Sequence, residues 1–267
     1  MDPLDRIAAA LERLSPPPPR AADATRHPAY VWRGEVLEAA RAFRPVPLAL
    51  LEGIELQKAA LLANVERLAM GYAAQDVLLW GARGTGKSAL VKSVVAEVQA
   101  NHDLALVEVV EAGLESLPGL FRVLGEEGRA FAVFVDDLGF DAASDARALR
   151  SMLEGGAEAR PGNVRLFVTS NRRHLIPRDI REQENAINPR DAADDQLALA
   201  DRFGLSLGFH AVDQDAYLAI VAGYCDAYDL PFEEADTLGW ALRRGSRSGR
   251  VAWQYVVELA GRLGRAV

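Results

Sequence analysis

Eight consecutive residues, Gly81-Ala82-Arg83-Gly84-Thr85-Gly86-Lys87-Ser88, follow the spacing G-x-x-x-x-G-K-[ST]. Glycines at these intervals let backbone N–H groups turn inward around phosphate oxygens, where a Cβ would obstruct the approach. A helix starting behind the loop directs its positive end at the same anion. In such a loop Lys87 reaches the β and γ phosphates of a nucleoside triphosphate, and the Ser88 hydroxyl ligates Mg2+. ATP is the expected nucleotide. Lysine is otherwise confined to Lys58 and Lys92, so a chance match is rare. A plain glycine turn is the alternative.

The string Phe131-Ala132-Val133-Phe134-Val135-Asp136-Asp137 reads as a buried strand ending in two carboxylates. Mg2+ is held, often through its waters, by a carboxylate at the C-terminal end of such a strand, and Asp136 fits that position. Asp137 is placed to orient or polarise an attacking water. Thr169-Ser170-Asn171 ends another apolar run. A polar side chain beside the carboxylate strand can hydrogen-bond the γ-phosphate or the water, and Asn171 is the candidate. Turns or helix caps built from Asp and Asn are the plainer alternative for both strings.

These residues need a scaffold that brings strand ends together. Continuous apolar runs predict strands over 77–80, 104–110, 131–135, 164–169 and 205–209, alternating with helical patterns over 88–98, 114–124 and 142–153. That alternation means an α/β fold with a five-stranded parallel sheet flanked by helices. Ahead of this core, which spans 50–211, lies a helical extension over 1–49. It has an amphipathic stretch over 4–14, a stiff spacer at Pro16-Pro17-Pro18-Pro19, and a helix over about 31–43 closed by Pro45 and Pro47. A further helix is expected over 56–70. Residues 212–267 show no strand and read as an all-helical module of three helices. Asp213 caps the first, Pro231 sits in the first turn of the second with Gly245 past its end, and Ser248 caps the third.

The chain has 267 residues and a formal net charge of −8, with a pI of about 5.2. An acidic surface repels phosphate backbones, so nucleic-acid binding is not favoured, although Arg172-Arg173-His174 makes a small basic cluster. Cys225 is the one cysteine, which excludes an intrachain disulfide and a cysteine zinc site. No apolar run reaches the roughly 18 residues of a membrane span, and no basic-flanked hydrophobic core marks a secretory signal. The expected location is the cytoplasm.

Taken in order, these motifs resemble the AAA+ ATPases, over about residue 50 to the end. The likeness extends to a bacterial AAA+ group described as a conserved domain of unknown function. It is carried by Leu79-Trp80 with the Gly81–Ser88 loop, Leu153-Glu154-Gly155-Gly156, Ser170-Asn171-Arg172-Arg173-His174-Leu175 and Asp201-Arg202-Phe203-Gly204-Leu205. Asp136-Asp137-Leu138-Gly139 and Thr169-Ser170-Asn171 also resemble the helicase-loader and transposition-helper branch. The resemblance implies that Gly53 and Ile54 line the base pocket and that the C-terminal helices form a lid. It implies that Arg202 is a finger acting on a neighbouring subunit of a ring or filament. Arg250, at the start of the last helix, would reach back to the γ-phosphate. A cation is unfavourable at a helix N-terminus, which agrees with an anionic partner there; a surface salt bridge is the alternative for Arg202. Many active members carry Glu where this chain has Asp137, so slow hydrolysis is one implication. Three roles follow: remodelling or assembly of a protein partner, action on nucleic acid, or a nucleotide-gated switch. The polar segment 177–200 is expected to serve an interface or a partner.

Overall fold

The computed structural model describes residues 21–110, 114–138, 160–171 and 202–267, together with Pro3, Arg6 and Leu153. The helix expected over 4–14, the proline spacer, the helix over 142–153, the basic cluster at 172–174 and the segment 177–200 fall wholly or mainly outside the described residues.

In chain order the elements are β1 (Ala29–Trp32), β2 (Leu37–Ala39), α1 (Glu55–Ala69), β3 (Val77–Gly81), α2 (Lys87–Gln99), β4 (Leu104–Val109) and α3 (Leu117–Gly125). They continue with β5 (Ala130–Val135), β6 (Val164–Ser170), β7 (Leu205–Phe209), α4 (Gln214–Ala227), α5 (Glu234–Arg244) and α6 (Gly249–Arg262). The strands form one sheet in the order β2-β1-β4-β5-β6-β3-β7, parallel except for β2, which runs antiparallel to β1. Strand side chains alternate between faces. Phe131 and Val133 pack with Leu117, Leu120 and Leu124 on one side, whereas Ala132 and Phe134 pack with Leu90, Val94, Leu61 and Val65 on the other. Two cores on one sheet explain why β5 is buried at every position.

Among the described residues the sheet has seven strands rather than the expected five. The extra pair replaces the helix expected over 31–43. Tyr30 and Trp32 alternate onto one face and are buried with Leu37, and Gly34, at φ 90°, reverses the chain between the strands. The Tyr30 hydroxyl accepts from the Arg26 and His27 N–H groups at 3.1 and 2.8 Å and donates to the Asp23 carbonyl at 2.8 Å. Trp32 Nε1 donates to Ser116 Oγ at 3.0 Å. Period-two burial of two aromatics outweighs the weak helical spacing of the same stretch. The pair also covers the β4 edge.

The C-terminal module has its own apolar centre, built from Tyr217, Val221, Tyr255 and Val256, and Val46 and Leu50, ahead of α1, pack against it. Asp213 caps α4 by accepting from Ala216 N–H at 2.9 Å, and Ser248 caps α6 by accepting from Val251 N–H at 3.2 Å. Pro231 does not sit in the first turn of α5, whose cap is Glu233. Gly245, in the left-handed region, ends that helix as expected. Among the described residues no helix is long and apolar enough to cross a membrane.

Tyr30→Ala is expected to lower the free energy of unfolding by about 3–5 kcal/mol, as for a fully buried aromatic. Urea denaturation measures this, and a loss under about 1 kcal/mol would show that the hairpin is peripheral.

Candidate functional site

Strand order puts the chemistry in one place. β6 lies between β5 and β3, so Asp136 after β5, Asn171 after β6 and the glycine loop after β3 emerge side by side at the C-terminal edge. Ligands of open parallel sheets bind at this edge. Register sharpens the placement: Val135 pairs with Val168 and Leu79 with Thr169, which brings Thr169 level with the start of the carboxylate pair.

The loop holds its shape through glycine. Gly81, Gly84 and Gly86 have φ of 131°, 78° and 95°. A Cβ on Gly81 would lie 2.0 Å from the Phe209 carbonyl oxygen, and that same carbonyl accepts from Ala82 N–H at 3.2 Å. Thr85 Oγ1 closes the turn on the Ala82 carbonyl at 2.8 Å. Gly86 occupies the cap of α2, and among the described residues no side chain caps that helix. Its first-turn N–H groups are therefore left for an anion.

Lys87 is 5% exposed. Its ammonium donates to the Gly81 carbonyl at 3.0 Å, the Ala82 carbonyl at 2.7 Å and Asn171 Oδ1 at 3.0 Å. Those three bonds use all three of its donors. Burial lowers its pKa from the ordinary lysine value, and the carboxylates of Asp137 and Asp136 oppose that shift. Ser88 Oγ donates to Asp136 Oδ1 at 2.6 Å, and the Asn171 amide donates to Asp137 Oδ1. One network thus joins the loop, both carboxylates and the end of β6.

These groups surround a cavity of about 260 Å3 lined by Arg83, Lys87, Ser88, Asp136, Asp137 and Asn171, with Gly84, Gly86 and Arg250 also on its wall. A second cavity of about 250 Å3 is lined by Gly53, Ile54, Thr85 and Gly86 on one side and by Asp213, Ile220 and Tyr224 of the C-terminal module on the other. Both cavities share Leu51, Gly86, Tyr224 and Gly249. Arg202, in the turn before β7, lines neither. The hydroxyl of Ser88 and the carboxylate of Asp136 are oxygen donors of the kind Mg2+ takes. Among the described residues no three His, Cys, Asp or Glu side chains cluster to hold a metal by themselves, so a metal here needs further oxygens, such as those of phosphates.

Several site residues escape the motif reading. Tyr224, whose spacing marks only helix packing, and Trp253 line the first cavity. Gly249 N–H donates to the Gly84 carbonyl at 3.0 Å, which ties the loop to the start of α6. Thr169 lies inside a string chosen for its third residue.

A family model described as protein of unknown function (DUF815) matches residues 25–263. The chain belongs to that family. No curated protein matches the sequence. Among solved structures, a Thermotoga maritima RuvB variant with one arginine replaced by alanine superposes with a TM-score of 0.55 at 18% identity, over 84% of this chain and 68% of that one. RuvB variants from the same organism with a proline-to-glycine or a threonine-to-valine replacement each give a TM-score of 0.52, at 17% and 16% identity. They cover 83% and 80% of this chain and 68% and 64% of theirs, so the chain spans about two thirds of the RuvB length. The chain shares its fold with these RuvB structures.

Gly81→Ala is expected to destabilise the protein by about 1–3 kcal/mol or more, because the added methyl meets a backbone oxygen that cannot swing away. Thermal unfolding measures it. Gly119→Ala, where a Cβ would meet nothing within 4 Å, is the matched control and should leave the melting temperature at or above its starting value.

Proposed function

We propose that the chain is an ATPase that hydrolyses ATP to ADP and phosphate with Mg2+ and couples this to the assembly or remodelling of a protein partner. The observation that carries the reading is the buried Lys87 ammonium, held beside Ser88, Asp136 and Asn171 at the start of an uncapped helix. Such a charge facing a cavity suits a phosphate chain, whose oxygens replace the carbonyls and amide that hold it here.

In this reading the triphosphate lies in the cavity walled by the Gly81–Ser88 loop, and the base enters the second cavity against Gly53 and Ile54. Ser88 and Asp136 are the residues that would hold Mg2+, which when bound neutralises charge on the β and γ phosphates. Lys87 does the same from the protein side. Asp137 and Asn171 orient a water for in-line attack on the γ-phosphorus. The bond to the bridging oxygen breaks, ADP leaves with that oxygen, and the water's proton passes towards the Asp137 carboxylate. Arg250, on the cavity wall, meets the outer phosphate from the C-terminal module, which acts as a lid. Arg202, in the turn before β7, would act on a neighbour in a ring or filament, the role that the Asp201-Arg202-Phe203-Gly204 string implies. The net charge of −8 favours a protein client over nucleic acid, and a cytoplasmic location is part of the same reading.

A slow nucleotide-gated switch is the second reading. It is favoured by Asp137, whose shorter side chain is already bonded to Asn171.

Lys87→Ala is expected to lose nucleotide binding, and Asp137→Asn to keep binding while hydrolysis falls by roughly 10²-fold or more. Phosphate release and a fluorescent ATP analogue measure the two. Brisk wild-type turnover would dismiss the switch.

For Arg202 the test is mixing. Lys87→Ala and Arg202→Ala chains, each inactive alone, should regain activity together, since mixed interfaces pair an intact Lys87 with an intact Arg202. Full activity in Arg202→Ala alone would end the finger assignment.

A further inference from the structure

Two acidic side chains at a strand end point where they do only if something fixes the chain as it leaves the sheet. Asp137 is the point of difficulty. Its φ is 54°, in the left-handed region where a residue with a Cβ is strained, and it is one of two such non-glycine residues among those described. A conformation of this kind persists only when neighbouring groups hold it.

Those groups belong to Thr169, 1% exposed at the end of β6. Its hydroxyl donates to Asp136 Oδ1 at 2.5 Å and accepts from the Asp137 backbone N–H at 2.8 Å. Its carbonyl accepts from Leu138 N–H at 2.8 Å. One residue therefore grips three consecutive positions: the side chain of the first carboxylate, the backbone of the second, and the backbone beyond it. Asp136 Oδ1 receives Ser88 Oγ as well, at 2.6 Å, so Thr169 on β6 and Ser88 in the first turn of α2 donate to the same carboxylate oxygen.

We propose that Thr169 is the positioning residue of the site, aiming Asp136 at the metal position and holding Asp137 in its left-handed turn towards Asn171. The proposal rests on the ATPase reading and deepens it. A hydroxyl is the one small group that can give a hydrogen bond to the carboxylate and take one from an amide at the same time. Serine retains that ability; valine, of the same shape, has neither. Partners that orient a metal-binding carboxylate typically alter metal affinity by about 10–100-fold when removed. The phosphate cradle of glycine loop, Lys87 and helix N-terminus does not pass through Thr169, so the effect should be specific to magnesium.

The test titrates the full-length protein with a fluorescent ATP analogue at stepped Mg2+ concentrations and in EDTA. Thr169→Val should match wild type in EDTA yet require about 10-fold more Mg2+ for half-maximal tightening, with hydrolysis reduced through kcat rather than KM. Thr169→Ser should restore wild-type Mg2+ dependence to within about two-fold. A folded Thr169→Val protein with wild-type Mg2+ dependence overturns the inference, as does a Thr169→Ser protein equally impaired; Thr169→Ala takes the place of Thr169→Val if that chain does not fold. Wild-type protein that binds no analogue in either condition contradicts the ATPase reading itself, a result distinct from both.

Discussion

An ammonium group can be withdrawn from water only if every one of its N–H donors finds an acceptor, because an uncompensated buried charge is among the most costly things a fold can contain. Lys87 meets that condition with two carbonyls of its own loop and the amide oxygen of Asn171. The loop must curl back beneath the side chain to supply those carbonyls, and the glycines permit the curl. The amide must come from a strand three places later along the chain but adjacent in the sheet, and the order β5-β6-β3 provides it. Much of the architecture at this edge follows from satisfying one charge.

The same constraint joins the core to the C-terminal helices. Gly84 has no Cβ, so Ser248 can approach it closely, and Gly249 N–H reaches the Gly84 carbonyl. A displacement of the loop must carry the first turn of α6 with it or break that bond. Tyr224 and Trp253, with ring centroids 5.1 Å apart, form the wall of the cavity on that side. Loop and module therefore share both a hydrogen bond and an aromatic surface.

Much of this was legible in the sequence because its signals are local. The glycine spacing needs no partner to be read, and a run such as 131–135, apolar without interruption, can only be a strand covered on both faces or a buried helix too short to stand alone. Caps at Asp213 and Ser248 were readable for the same reason. What was hidden depends on contacts between distant residues. The hairpin over 29–39 is decided by Tyr30 reaching back to Asp23 and by Trp32 reaching Ser116, neither of which spacing reveals. Thr169 acquires its place only through the register of β6 against β5. Tyr224 looked like a packing residue and is one, yet its helix lies against the site. Pro231 shows the limit of single-residue signals: the chain stays extended past it, and the helix begins only at Glu234.

In the proposed reading a nucleoside triphosphate replaces the groups now bonded to Lys87. Calorimetric titration of the wild-type chain with ATP in the presence of Mg2+ measures it directly. Saturable binding of one ATP per chain is expected, weaker when Mg2+ is withheld. Heat indistinguishable from dilution, with ATP and with every other nucleoside triphosphate, would contradict it.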